Sequence, residues 1–436
     1  MDHTPILTRF GITALNDMQN KMLEKVASSD NIVLISPTGS GKTLGYLLPL
    51  LPLLKEANNA IQVMILVPSR ELALQIEKVF RQIGTSHKIS CCYGGHSMRI
   101  EKNNLQDPPA VLAGTPGRIS DHLRRGNIRI DNLQVLILDE FDKSLEMGFQ
   151  EDMKFILQQC KNVKKRILTS ATTLKEIPEF AGVQNSEVLN YTRGKEESKS
   201  LLKVKVVHAK GQDKLHALML LLGSINAAST LVFCNHREAV NRISDHLRGY
   251  KIDHGVYHGG LEQPDREKVM IKFRNGSIKI LVTTDLASRG LDIPEVDAII
   301  HYQLPATSEV MIHRNGRTAR MNMPGTAYFL LAEDEYLPDF VKGVPDELRL
   351  PEKVVIPKPA LWKTMYIGAG KKDKINKTDI VGMILQKGAL QKEELGKVDV
   401  LDHSSYVAIK ASRFQKTLAL LKEEKIKNKK IKIGVG

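Results

Sequence analysis

The chain has one tryptophan and four cysteines in 436 residues, and no apolar run approaching the ~18 residues that a membrane span needs. The cysteines (Cys91, Cys92, Cys160 and Cys234) form no C-x-x-C pair, which argues against a zinc ribbon or a redox dithiol and for packed, reduced thiols. The opening stretch Met1 to Gly11 has no basic start followed by an apolar core and a cleavage site, so no secretory signal is expected and the location is read as cytoplasmic. His208, His216 and His258 show no metal-ligand spacing, and Trp362 reads as a packing residue.

Positive charge is plentiful. The formal net charge is +14, and residues 360–436 hold 17 basic against 8 acidic side chains, whereas the other 359 residues hold 46 and 41. An excess of +9 in the last fifth of the chain points to nucleic acid as a partner of that segment.

The length suggests about three domains. Short apolar runs rich in branched residues, such as Ile32–Ile35, Met64–Val67 and Val135–Leu138, have the character of strands buried on both faces of a parallel sheet. After Ser69, a plausible N-cap, residues Leu72, Ile76, Val79, Phe80 and Ile83 share a helical face. The pattern pauses at the polar stretch 194–200 and restarts with strands expected at Thr230–Cys234, Ile278–Thr283 and Ala298–His301. Pro351, Pro357 and Pro359 mark a second linker. The tail reads β-α-β-β-α-β, with strands at Met365–Ala369, Lys397–Leu401, Tyr406–Lys410 and Lys430–Val435 and helices at Asp379–Gln386 and Ser412–Glu423. The expected architecture is α/β: two tandem RecA-like parallel-sheet lobes over 1–193 and 201–350, linkers at 194–200 and 351–361, and an RRM-like α+β domain over 362–434.

The chemistry begins at Ser36-Pro37-Thr38-Gly39-Ser40-Gly41-Lys42-Thr43, a phosphate-binding loop fed by the first strand. Gly39 and Gly41 let backbone N–H groups approach phosphate oxygens, Lys42 reaches the outer phosphates, and Thr43 is a candidate Mg²⁺ ligand. The general pattern has glycine where this chain has Ser36. About 100 residues on, a strand ends in Asp139-Glu140-Phe141-Asp142. A strand-end Asp is where such enzymes hold Mg²⁺, and the adjacent Glu is placed to activate the attacking water. The arginine cluster His313-Arg314-Asn315-Gly316-Arg317-Thr318-Ala319-Arg320 supplies the cations that the first half lacks. An ATPase site split across two lobes can turn hydrolysis into opening and closing, which is the logic of a motor.

In these motifs, from Asn16 to Arg320, the chain resembles the DEAD-box RNA helicases. Gln19 stands where that family reads adenine. Pro68-Ser69-Arg70-Glu71-Leu72-Ala73, Gly94-Gly95 and Thr115-Pro116-Gly117-Arg118 resemble its first-lobe RNA motifs. Ser170-Ala171-Thr172 resembles the element coupling nucleotide state to RNA, and Gln263-x-x-Arg266 and Thr283-Thr284-Asp285-Leu286-Ala287-Ser288-Arg289-Gly290-Leu291-Asp292 match second-lobe motifs. Asp2 occupies the place of the family's adenine-stacking aromatic, with Phe10 nearby but out of register, and Phe141 replaces an alanine. The resemblance implies catalytic roles for Glu140, Arg317 and Arg320. It implies nucleotide contacts from Gln19, Thr38, Gly39, Ser40, Gly41, Lys42, Thr43, Asp139 and Asp292, with Mg²⁺ on Thr43 and Asp139. Ser170, Thr172 and His313 would couple the sites, and Arg70, Gly95, Thr115, Arg118, Arg266 and Thr284 would touch RNA.

Lys371-Lys372-Asp373-Lys374 followed by Asp379-Ile380-Val381-Gly382 is similar to the C-terminal RNA-binding domain of the DbpA subfamily, which recognises large-subunit ribosomal RNA. Lys371, Lys372, Lys374, Lys429 and Lys430 are the expected phosphate contacts there. Met365-Tyr366-Ile367 fits the first RNA-binding signature of an RRM, and Tyr366 and Tyr406 read equally well as base-stacking platforms or as core. The expectation is an ATP- and Mg²⁺-dependent RNA helicase and RNA-dependent ATPase, monomeric and without a membrane partner, acting on large-subunit rRNA or a pre-ribosomal particle. The alternatives are a general RNA helicase or chaperone, and an ATP-gated RNA clamp that does not unwind.

Overall fold

A computed structural model describes the chain apart from residues 1–2, 38, 56–58, 96, 174–175, 193–200, 210, 212, 227–228, 289–292, 320–322, 342, 344 and 428, and apart from the side chains of Ser288 and Lys429. Asp2, Thr38, Asp292, Arg320 and the linker 194–200 therefore lie outside the described residues. The chain divides into two compact units near Lys199.

The first unit is built on seven parallel strands: β1 (Asn31–Ile35), β2 (Val63–Leu66), β3 (Ile89–Cys92), β4 (Val111–Gly114), β5 (Val135–Leu138), β6 (Lys165–Ser170) and β7 (Glu187–Asn190). Their spatial order is β3-β4-β2-β5-β6-β1-β7. Alternate residues serve two cores, Ile32 and Leu34 on one face, Val33 and Ile35 on the other. Helices cover both faces, and a parallel sheet needs that cover because neither face can be left wet. The helix Arg70–Ile83 starts as expected: the Ser69 hydroxyl accepts the Leu72 N–H at 3.2 Å, and Leu72, Ile76, Phe80 and Ile83 are buried.

The order of strands has a functional consequence. It puts the carboxyl ends of β1, β6 and β5 side by side and those of β2, β4 and β3 side by side. Ligand sites of such sheets form at these strand ends. The loop with Lys42, the Asp139 pair and Ser170 follow the first three strands, whereas Arg70, Thr115 and Tyr93 follow the second three.

The second unit repeats the architecture with β8 (Leu202–His208), β9 (Thr230–Cys234), β10 (His254–Tyr257), β11 (Ile280–Thr284), β12 (Ala298–His301), β13 (Gly325–Leu331) and β14 (Asp346–Glu347), ordered β10-β11-β9-β12-β13-β8-β14. It also contains the tail. Strands β15 (Trp362–Ile367), β16 (Leu395–Val400), β17 (Ser405–Lys410) and β20 (Ile433–Val435) form an antiparallel sheet in the order β16-β17-β15-β20, with helices Lys377–Lys387 and Ala411–Leu421 on one face. The expected last strand is broken in two. Lys429–Lys430 (β19) pairs instead with Lys425–Ile426 (β18) as a small hairpin, and only Ile433–Val435 joins the sheet. No helix among the described residues is long and apolar enough to cross a membrane.

The tail is packed against the second lobe by the face of its sheet that carries the two tyrosines. Thr364 is buried; its hydroxyl accepts from Asn275 Nδ2 at 2.9 Å and donates to Ser277 Oγ at 2.8 Å. Lys272 Nζ reaches the Gly436 carbonyl at 3.2 Å, and Trp362 lies over Gly276.

Candidate nucleotide site and RNA face

Helix Asp17–Ser28 opens with a reciprocal capping box: Gln19 N–H donates to Asn16 Oδ1 at 2.9 Å and Asn16 N–H donates to Gln19 Oε1 at 3.0 Å. The same two side chains hold the phosphate loop. Asn16 Nδ2 donates to the Ser40 carbonyl at 3.0 Å and Gln19 Nε2 to that of Gly41 at 3.2 Å. Gly41 has φ +86°, and a Cβ there would lie 2.5 Å from Gln19 Nε2, so both backbone and space demand glycine. Lys42 is buried and donates to the Ser36 and Pro37 carbonyls at 2.5 and 3.2 Å. Burial lowers its pKa, while the charges of Glu140, Asp139 and Asp142 oppose that shift. A cation held on loop carbonyls, with the charges of three carboxylates near it, is placed to exchange those carbonyls for phosphate oxygens.

Asp139, at the end of β5, receives the Tyr46 hydroxyl on Oδ2 at 2.8 Å and the Thr169 hydroxyl on Oδ1. Tyr46 is fully buried and also hydrogen-bonds Thr43. Burial, reinforced by Asp139, holds its pKa well above the usual value, so it remains a donor. Tyr46 therefore ties together the two expected metal ligands, Thr43 and Asp139. It was missed in the sequence, although its position three residues after Thr43 on one helix is a legible signal. Glu140 takes a left-handed conformation, φ 48° and ψ 51°, that only a constrained non-glycine residue adopts. Its N–H donates to Thr169 Oγ1 at 3.2 Å. The Thr172 hydroxyl donates to Asp142 Oδ2 at 3.3 Å, and Ser170 Oγ donates to the Thr172 carbonyl at 2.6 Å, so the Ser170–Thr172 segment is bonded to the acidic motif. Phe141 is buried against Phe180 with ring centroids 6.2 Å apart.

Thr43, Asp139, Glu140 and Asp142 offer oxygen donors only, and Asp142 Oδ1 is buried with no hydrogen-bond partner among the described residues. Such a set fits a hard cation such as Mg²⁺.

On the other half of the sheet edge, the Arg70 guanidinium sits 5.0 Å from the Tyr93 ring centroid. Gly95 has φ +81°, and a Cβ there would meet Arg70 Nη1 at 2.9 Å. Thr115 stands at the N-cap position of helix Pro116–Arg124 with no capping bond from its side chain, and Arg118 Nε donates to the Tyr93 carbonyl at 3.2 Å. Four of the expected RNA residues, Arg70, Gly95, Thr115 and Arg118, thus share one face.

In the second unit, Arg314 is the hub of the arginine motif, a role the sequence reading had left unassigned. Fully buried, it bonds Asp285 at 2.6 and 3.1 Å, the Gln303 carbonyl at 2.8 Å and Asn235 Oδ1 at 2.7 Å. It joins the segments that follow β9, β11 and β12. Arg317 and His313 are buried in the same segment. Arg266 donates to the Leu261 carbonyl at 3.1 Å, and Thr284 ends β11. In the tail, Tyr406 is 8 % exposed and meets Tyr366 edge-on at 5.6 Å. Burial raises its pKa, with smaller contributions from Tyr366, Glu267 and Asp265. That environment removes Tyr406 as an open stacking platform. The basic residues sit elsewhere: Lys371, Lys372 and Lys374 lie in and beside a turn, and Lys427 of the β18–β19 hairpin bonds the Lys374 carbonyl at 2.8 Å and Asp379 at 2.7 Å. Lys430 is paired with Glu423 at 2.6 Å at the surface.

Two RecA-like lobes, one carrying a phosphate loop beside strand-end carboxylates and the other an arginine motif, define a P-loop ATPase of the helicase class. Known proteins agree. Residues 16–180 match the DEAD/DEAH box helicase model, 213–322 the helicase conserved C-terminal domain, and 364–435 the DbpA RNA binding domain. The ATP-dependent RNA helicase DbpA of Bacillus subtilis is 30% identical over 462 residues, covering 98% of this chain and 96% of the relative. The DbpA of Escherichia coli is 28% identical, covering 98% and 95%. The fold is shared with Saccharomyces cerevisiae Dbp5 bound to RNA and ADP BeF3, with a TM-score of 0.70 at 24% identity over 79% of this chain and 92% of that one. The chain belongs to the DEAD-box ATP-dependent RNA helicases of the DbpA type. It is an ATP-using RNA helicase with its own C-terminal RNA-binding domain.

Proposed function

We propose that the enzyme opens short RNA duplexes locally and that its tail directs it to large-subunit rRNA during ribosome assembly, acting as a monomer in the cytoplasm. ATP and RNA together draw the lobes closed. Lys42 and the loop N–H groups hold the phosphates, and Gln19 reads the adenine edge. Thr43 and Asp139 would hold Mg²⁺, which supplies charge neutralisation at the phosphates. Glu140 takes the proton of the attacking water. Arg317 and Arg320 meet the γ-phosphate and stabilise the charge that develops on it; fingers of this kind are worth about 10³–10⁵ in rate. Thr172, bonded to Asp142, reports the state of the acidic motif to the RNA face.

The observation that carries the rRNA reading is the basic end of the tail. The Lys371–Lys374 turn and the β18–β19 hairpin are bonded together, away from the sheet face that packs on the second lobe. The domain can thus grip one RNA element while the motor works on its neighbour, raising the local concentration of substrate. The test substitutes Lys371, Lys372 and Lys374 by alanine and compares RNA-stimulated ATPase on large-subunit rRNA fragments and on a scrambled control at two salt concentrations. The preference for rRNA should vanish, and each lost phosphate contact should flatten the log–log salt slope by roughly 0.7–0.9. Full rRNA preference in the triple variant refutes this address.

A further inference from the structure

Two hydrogen-bond donors and a guanidinium converge on one carboxylate beneath the RNA face of the first unit. Glu101, in helix Met98–Asn104, is 2 % exposed. Its Oε1 accepts the Tyr93 N–H at 3.1 Å; its Oε2 lies 2.8 Å from His122 Nε2 and 3.4 Å from Arg118 Nε. His122 is completely buried, and its Nδ1 faces Asn127 Nδ2 at 3.2 Å. An amide N–H directed at Nδ1 leaves the ring proton on Nε2, so His122 serves as a donor to Glu101.

Cys92 sits beside them, and the candidate ligand atoms of Cys92, Glu101 and His122 lie within 4.8 Å of one another. The surroundings argue against a metal there. Both carboxylate oxygens already accept hydrogen bonds, a guanidinium stands 3.4 Å away, and burial, with Glu101, pushes the Cys92 thiol up to about 12.

We propose that Glu101 and His122 are positioning residues for RNA engagement. They act through Tyr93 and Arg118 and rest on the reading of Arg70, Gly95, Thr115 and Arg118 as RNA contacts. The Tyr93 N–H fixes the start of the Gly94-Gly95 turn and, through its ring, the seat of Arg70. Arg118 is held between Glu101 and the Tyr93 carbonyl. One buried negative charge therefore sets the register between two RNA motifs that arrive on different strands. A carboxylate suits this position: each of its oxygens accepts one donor, Tyr93 N–H and His122 Nε2–H, and its charge holds the Arg118 guanidinium, whereas a glutamine offers one acceptor oxygen, no charge, and an N–H₂ turned toward a donor.

The experiment measures RNA-stimulated ATPase of the full chain with Glu101→Gln, His122→Leu, Glu101→Asp and Arg118→Ala, beside thermal unfolding and the ATP KM. Glu101→Gln should raise the RNA concentration for half-maximal activation on the order of tenfold to 100-fold, as misplacement of contact groups does. Its rate at saturating RNA and its ATP KM should stay within about twofold of the wild type. Glu101→Asp, which keeps the charge, should recover part of the loss. Glu101→Gln combined with Arg118→Ala should be non-additive, because the two act in one network. If Glu101→Gln does not fold, His122→Leu, which leaves Glu101 the Tyr93 N–H and the Arg118 ion pair, must show the same split. An unchanged RNA requirement in these variants while Arg118→Ala raises it overturns the positioning role. A fall in saturating rate and stability together with a raised ATP KM, marking a merely structural role, also overturns it. An Arg118→Ala variant with a normal RNA requirement instead overturns the underlying reading of the RNA face.

Discussion

Replacing Tyr46 by phenylalanine isolates one hydroxyl in the candidate nucleotide site. The ring is fully buried and its volume is kept, so no cavity term enters. What disappears is a 2.8 Å hydrogen bond to the Asp139 carboxylate and the link from there to Thr43. A hydrogen bond to a charged group contributes about 1.5–3 kcal/mol, so the nucleotide-free first unit should lose stability in that range. The loss should be smaller with MgATP bound, because a cation then takes over part of the carboxylate's charge. Tyr46 also orients both expected Mg²⁺ ligands from behind, and removal of such a supporting group costs roughly 10–100-fold in metal affinity. The assay is steady-state ATPase at saturating RNA over a Mg²⁺ titration, with urea unfolding in the presence and absence of MgATP. A half-saturating Mg²⁺ concentration within twofold of the wild type, together with unchanged stability, would refute the bridging role.

Three further outcomes are expected. Glu140→Gln should abolish steady-state hydrolysis while an ATP-bound, RNA-clamped complex still forms in a filter-retention assay, and Arg317→Ala should slow turnover by roughly 10³-fold or more; wild-type turnover in Arg317→Ala would refute the split site. Gln19 should favour ATP over GTP, and equal turnover of the two at saturating RNA would sink that assignment. His301, stacked between Phe233 and Phe329 and hydrogen-bonded to Asn315, is held down to about 3 by burial and then by Arg314. Its contribution to stability is therefore complete above the free-histidine value near 6.5 and falls by about 1.4 kcal/mol for each pH unit below it, because only the unfolded chain takes the proton. Hydrogen exchange at β12 between pH 7 and 4.5 should show a shallower pH dependence in His301→Gln than in the wild type; parallel slopes would refute the assignment.

The tail now constrains how its function can be probed. Cutting the chain after Pro359 would remove Thr364 from buried Asn275 and Ser277 and uncover part of the second lobe. Lysine substitutions at the basic end leave that packing in place and separate RNA affinity from stability.

The sequence by itself determined the local elements and the chemistry. A run such as Val135–Leu138 is a strand because its branched side chains fill both faces of a sheet, and the structure has it at those residues. The Ser69 cap, the strands Thr230–Cys234 and Ala298–His301, and the order of elements in the tail were legible for the same reason: each depends on residues within a turn or two of one another. The break between Lys430 and Ile433 was not legible, because basic residues alternating with isoleucines satisfy a strand pattern whether they pair in a hairpin or in the sheet. Tertiary structure alone decided what distant residues share. It set the strand order that separates the candidate nucleotide edge from the candidate RNA edge, brought Tyr46 to Asp139 across 93 residues, gathered Tyr93 and His122 around Glu101, and turned Thr364 toward Asn275. Those contacts depend on packing between elements far apart in the chain, and no spacing along the sequence encodes them.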